Sequence, residues 1–374
     1  PVTAWAHGLL LAVFGPHLIV IRMLTAVLLS ISVFLTFWIG SQLGLARWVN
    51  ICITATFVAT FPAWSLGGEF FSLWPWPSVT FLVLILLATS LLLPQANSAH
   101  PKRRAIAAGG FLLGLAIMTR LNYGLPVAFM ASGALMFVWR FKRERRQLIG
   151  IFTISIMAGV ALTLIPLLVT GALDEWFAQA IAGPLGSSSA AFPMERLQFV
   201  VVHFILAPLP FLLGLGFLIR FRRRLDELRL RFVVAISGLI GLALLLMGLA
   251  GAGTRLRVIL LSFWDSPMSR ALLDVQPVVP LYAVAWIPPI VLLSGMSSRS
   301  RTRDKQADLP FASSTIQKQR TTAIVASAIG FGALAQLFPL FDAYHLWWSG
   351  PLGLLLLGQV LSRSFTQPRA NIIT

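Results

Sequence analysis

The chain has 374 residues, of which 57% are hydrophobic and only 11% charged, and it carries a formal net charge of +17. Soluble globules are about 25% charged, so this mixture has too few charged side chains to clothe a water-facing surface and excludes an ordinary soluble fold. Lipid as the solvent removes the difficulty, and the expectation is a single all-α transmembrane bundle over residues 1–374.

Segment 1–17 opens the chain and is too short to span. Its apolar run, with Trp5 and His7 near one end and His17 at the other, predicts a helix lying in the outer membrane interface, as an anchor or as a gateway for a lipid substrate. A spanning helix needs ~20 mostly apolar residues, and about eleven runs can be read as spans. They lie at 18–43, 48–65, 76–93, 105–119, 124–139, 149–170, 197–219, 232–252, 277–295, 321–339 and 350–362. The runs are continuously apolar, without the alternation of a membrane β-barrel. Polar linkers are expected at 95–104 and 297–320, and longer outer loops at 171–196 and 253–276. Gly110 and Gly114 give a small-xxx-small spacing suited to close helix contact.

The charge is distributed by side. If each span crosses once, 23 of the 29 Lys and Arg fall on one face, in clusters around 102–104, 140–146, 220–231 and 299–320 together with Arg47, Arg363 and Arg369. The other face holds seven acids: Glu69, Asp174, Glu175, Glu195, Asp265, Asp274 and Asp342. This asymmetry is the positive-inside pattern. It puts the basic loops and the C-terminus in the cytoplasm of a multi-pass inner or plasma membrane protein. A basic face beside anionic lipid accounts for the net charge, so no nucleic-acid partner is inferred. The same counting puts Pro1 outside, and residue 1 is not Met. Upstream sequence with at least one further helix is therefore expected.

Candidate functional residues lie on the outer rim. Arg22, just inside the first span, either snorkels to the boundary or meets an anion. Glu69, in a segment rich in Trp and Pro, is a weak candidate acid or base, against the alternative of a solvated loop residue. Arg120 and Tyr123 sit in a very short turn, where a guanidinium can hold a phosphate bidentately or snorkel. Asp174 and Glu175 fit a helix start, where the dipole favours acids. Arg255 and Arg257 interrupt the charge asymmetry on the outer side, and one of them suits an anion. Asp342, Tyr344 and His345 put an acid, a phenol and an imidazole within four residues, which suits proton exchange near neutral pH or, equally, a belt of interfacial aromatics. Cys52 is the only cysteine and the five His are scattered, so no disulfide framework or metal-ligand spacing exists. No phosphate-binding GxxxxGK[ST] loop, GxSxG elbow or HExxH motif occurs. No cofactor is identified, and metal dependence is left open because a divalent ion would lack a ligand motif.

Three stretches carry a resemblance. Phe14-Gly15-Pro16-His17-Leu18-Ile19-Val20-Ile21-Arg22-Met23-Leu24 resembles the passage from first outer loop to second helix in the GT-C superfamily of membrane glycosyltransferases. The group in question comprises dolichyl-phosphate-mannose–protein mannosyltransferase-like and related bacterial enzymes. Gly110-Phe111-Leu112-Leu113-Gly114-Leu115-Ala116-Ile117-Met118-Thr119-Arg120 resembles that family's glycine-rich helix ending in Thr-Lys or Thr-Arg. Phe338 and Pro339, with Asp342, Tyr344 and His345, are similar to a late outer-loop pattern of some bacterial members. The resemblance implies transfer of a hexosyl or pentosyl group from a polyprenyl-phosphate donor to an acceptor on the outer face. It implies that Arg22 and Arg120 meet phosphate and that Asp342, Tyr344 and His345 meet sugar or phosphate. The family's general base lies upstream of the stretch matching 14–24, so it is expected before Pro1. A transporter or lipid flippase is the competing reading, followed by another enzyme acting on a lipid-linked substrate and by a membrane scaffold. A transporter should carry ionisable groups near mid-bilayer, whereas the span interiors here lack acids.

Overall fold

The computed structural model describes residues 2–59, 77–140, 142–178, 213, 284–301, 312–337 and 343–366, and among them the chain is helical, without a strand. In chain order the helices are α1 (Val2–Phe14), α2 (Leu18–Gln42), α3 (Arg47–Ala59), α4 (Pro77–Asn97), α5 (Arg103–Thr119) and α6 (Leu121–Val138). They continue with α7 (Arg145–Val169), α8 (Leu173–Phe177), α9 (Ile287–Arg301), α10 (Ala312–Ala333) and α11 (Ala343–Thr366), with a 3-10 turn over Leu334–Leu337 extending α10. Four of them, α2, α4, α6 and α7, are long and apolar enough to cross a membrane. The 25 residues of α2 and of α7 reach roughly 37 Å, against a hydrocarbon core of about 30 Å. The spans expected at 197–219, except Leu213, and at 232–252 lie outside the described residues, as do 60–65 and 277–283. α1, at 13 residues, reaches only about 20 Å and is too short to cross, as expected for segment 1–17. The turn from α1 to α2 is made by Gly15, at φ 86, where any Cβ would be strained.

Burial follows a lipid-solvated pattern. The centre is α4, which packs against α2, α5, α6, α10 and α11. Phe81, Leu82, Leu86, Leu92 and Leu93 on α4 are fully buried. The outward faces are apolar too: Phe34 and Trp38 on α2, and Ile154, Met157 and Val169 on α7, are all exposed. Water would penalise such stripes and lipid accepts them. Several hydroxyls inside the bundle bond to the preceding turn of their own helix. Thr36 donates to Ser32 O at 2.7 Å, Thr89 to Ile85 O at 2.6 Å and Thr163 to Val160 O at 2.8 Å. No partner helix is then required to satisfy them.

The closest helix pair is α5 with α7. A Cβ added at Gly110 would lie 2.6 Å from Phe152 O, and one at Gly114 would meet Ile156 O and lie 2.9 Å from Gly159 Cα. The contact is reciprocal, since a Cβ on Gly159 would meet Phe111 O and lie 3.0 Å from Gly114 Cα. The glycine spacing read as a packing surface does bring two backbones together.

Several helices extend further than their apolar runs. Residues 297–301 belong to α9 and residues 312–320 to α10, which corrects the reading of 297–320 as a linker throughout. Arg320 explains part of the extension. Its Nε and Nη2 donate to Gly295 O at 3.1 and 2.6 Å, so the guanidinium ties α10 to a carbonyl of α9. Between the spans expected at 321–339 and 350–362, the described residues from Ala343 onward already form α11. Trp347 and Trp348 are each only 2% exposed and belong to the core. Trp347 stacks on Phe57 with ring centroids 4.2 Å apart and donates its indole N–H to Phe57 O at 2.7 Å, joining α11 to α3.

Candidate functional site

The antiparallel order of the helices separates the two ends of the bundle chemically. One end gathers the described basic loops. Lys142 donates to Ser98 O at 2.6 Å, the Lys102 amide donates to Gln95 Oε1 at 2.8 Å and Arg103 donates to Gln147 at 3.0 Å. Arg103 also pairs with Glu144 at 3.6 Å. Burial lowers the Lys142 ammonium below its ordinary range. At the same end Gln359 of α11 donates to Leu43 O at 3.0 Å.

The opposite end holds a compact cation site. Arg120 closes α5 and precedes α6, with an extended backbone at φ −148 and ψ 97. Its carbonyl accepts from Tyr123 N at 3.1 Å and Gly124 N at 2.8 Å, which starts α6 directly after α5 ends. Gly124 makes the reversal feasible, because a Cβ there would lie 2.5 Å from Ile117 N and 2.8 Å from the Ala116 carbonyl carbon. The Arg120 side chain reaches α4, where Nη1 donates to the hydroxyl of the fully buried Ser78. The same guanidinium lies over the Tyr123 ring, 4.4 Å from its centroid. Tyr123 is 2% exposed and meets Phe81 edge-on at 6.2 Å. Cation–π contact of this kind contributes about 0.5–2 kcal/mol, and together with Ser78 it fixes the plane of a half-buried cation. A held planar guanidinium can donate in parallel to two oxygens of a phosphate or carboxylate.

Arg22 stands at the same end, in the second turn of α2, and is half-buried. Below it an apolar groove of about 420 Å³ runs along α2, lined by Met23, Ala26, Val27, Ser30, Ile31 and Phe34. Ala26 and Ser30 follow Arg22 at intervals of four, so the cation stands above one edge of the groove without lining it. From Met23 to Phe34 the groove covers roughly 17 Å of helix. His7 on α1 is half-buried, and burial lowers its imidazole below the usual range.

Of the residues singled out from sequence, the structure brings Arg120 and Tyr123 together and puts Arg22 on a different helix of the same end. Tyr344 and His345 fall in the first turn of α11. Glu69, Arg255 and Asp342 lie outside the described residues. Asp174 and Glu175 occupy the first turn of α8, as a helix start requires. Two residues escaped sequence reading. Ser78 is one hydroxyl after Pro77 in an apolar segment and has nothing to mark it. Gln336, in the 3-10 turn, is fully buried with neither amide atom hydrogen-bonded. Its visible sign was a lone amide in an apolar run. Among the described residues no group of three His, Cys, Asp or Glu could hold a metal ion.

Searches against protein-family models, curated proteins and solved structures find no match for this chain.

Proposed function

We propose that the chain is the membrane bundle of a glycosyltransferase of the GT-C type, which moves a sugar from a polyprenyl-phosphate donor to an acceptor at the outer face. The observation that carries the reading is Arg22 standing above the edge of the apolar groove on α2 formed by Ala26 and Ser30. A lipid phosphate requires a cation at the membrane boundary and an apolar track for its chain, and these two features provide both. Arg120, held by Ser78 and Tyr123, supplies a second oriented cation at that end. In the proposed reaction the acceptor hydroxyl attacks the anomeric carbon while the polyprenyl phosphate departs. Charge builds on the phosphate as it leaves, and fixed guanidinium groups stabilise it without reorganising. A carboxylate acting as general base takes the proton of the acceptor hydroxyl, as the resemblance implies. The basic end faces the cytoplasm, in keeping with the positive-inside rule.

The test is transfer from a labelled polyprenyl-phosphate sugar in proteoliposomes of the full-length protein. Arg22→Gln and Arg120→Gln should each lower the rate by about 10²-fold, the scale of one oriented donor at a developing oxyanion. Unchanged transfer in both variants sinks the proposal. A substrate flux across the vesicle membrane with no transfer favours the transporter reading instead.

A further inference from the structure

A second groove lies at the basic end of α7 and is independent of the sugar-transfer reading. It has a volume of about 610 Å³ and is lined by Arg145, Arg146, Ile149, Gly150, Thr153 and Ile154. Gly150 leaves its floor open, since a Cβ there would meet no atom within 4 Å. Arg145 is half-buried and Arg146 exposed, and neither guanidinium has a hydrogen bond or ion pair among the described residues. The nearby acid, Glu144, is paired with Arg103 at 3.6 Å. Lys142 is drawn to Ser98 O on the other side of the loop. Two arginines therefore face the groove with no acid to balance them.

The groove continues into an apolar stripe. Ile154, Met157, Ile165 and Leu168 recur at intervals of three, eight and three along α7, and each is more than half exposed. Phe152, Gly159 and Thr163 on the opposite side are buried, the first two against α5. Arg146, Gly150, Ile154 and Met157 follow one another at intervals of four, four and three, so Arg146 heads the apolar track, while Arg145 lies about 100° further round the helix, towards the buried side, and reaches the groove from its edge.

We propose that this groove binds an anionic phospholipid of the leaflet at the basic end, with its phosphate between Arg145 and Arg146 and its acyl chains along α7. Charge complementarity selects the occupant. A zwitterionic lipid brings a cation that the two arginines repel, and a soluble anion leaves the apolar stripe bare. The negative surface potential of an anionic leaflet adds to the attraction.

Native mass spectrometry of the purified protein with phosphatidylglycerol or phosphatidylcholine tests the site. The intact protein should retain phosphatidylglycerol with at least about tenfold preference, and Arg145→Gln with Arg146→Gln should abolish that preference. Arg47→Gln with Lys318→Gln removes two exposed charges from the same end and should leave it intact. Arg146→Gln alone alters only an exposed side chain, so it guards against misfolding, and it should lose part of the preference. Equal retention of the two lipids by the intact protein, or equal loss in the groove variant and the Arg47 and Lys318 control, overturns the site.

Discussion

Gly114→Ala isolates a backbone-to-backbone contact between α5 and α7. The new methyl would lie 2.9 Å from Gly159 Cα and 3.0 Å from Val160 N, and would press on Ile156 O. All three are backbone atoms, so no side chain can rotate away. Carbon atoms pack at about 3.5–4.0 Å, so α5 and α7 must part by up to about 1 Å, a gap that forfeits a quarter to a half of each affected dispersion contact. Overpacking of this kind costs about 1–3 kcal/mol. Gly133→Ala is the matched control, because a Cβ at Gly133 on α6 meets nothing within 4 Å. Helix propensity alone favours alanine there by about 1 kcal/mol, so the two identical substitutions should act in opposite directions. Denaturation of the detergent-solubilised protein, followed by loss of helical circular dichroism, reads both. Equal midpoints for Gly114→Ala and Gly133→Ala would refute the packing of α5 on α7.

Further outcomes follow from individual contacts. Trp347→Phe keeps the ring but loses the indole donor to Phe57 O, and should cost about 1 kcal/mol of stability, whereas Trp347→Ala should cost about 3–5 kcal/mol. Glu144→Gln breaks a pair whose partners are each 55% exposed, so it should change the denaturation midpoint by no more than about 0–1 kcal/mol. Lys142 has a pKa below 10.5 in the folded protein because of burial. The native state then binds fewer protons than the unfolded state between that lowered value and about 10.5, so stability should rise with pH across this window. Lys142→Gln should flatten that rise in an otherwise matched denaturation series. Ser78→Ala removes the acceptor that orients Arg120 and should slow transfer less than Arg120→Gln does, with Arg120→Lys falling between wild type and Arg120→Gln because it keeps charge but not the planar fork.

Helical class, the shortness of segment 1–17 and the α5–α7 glycine contact were all legible in the sequence, because each depends on local composition or spacing. Helix ends were less so. Hydropathy stops where the apolar run stops, but backbone hydrogen bonding continues through Ser313, Ser314, Gln317 and Lys318 into α10, and Arg320 secures that extension to α9. Trp347 and Trp348 are buried, at 2% exposure each. What buries Trp347 is Phe57, 290 residues away in the chain, and no local pattern announces such a partner. The candidate site divides in the same way. Arg120 and Tyr123 are visible as a charged residue and a phenol in a tight turn, but Ser78 becomes meaningful only once α4 is placed beside that turn. The α2 groove was hidden because its lining residues are ordinary span residues, and only their shared exposure identifies them.

Both proposals depend on which end of the bundle faces the cytoplasm, and cysteine labelling in intact cells reads this directly. In a Cys52→Ser background, which removes the exposed native thiol, Arg143→Cys and Thr170→Cys put single thiols at exposed positions near the two ends of α7. A membrane-impermeant maleimide added outside should label the variant at 170 and leave the one at 143 untouched until the cells are permeabilised. Labelling at 143 with protection at 170 would invert the bundle and contradict the placement of Arg22 and Arg120 at the outer face.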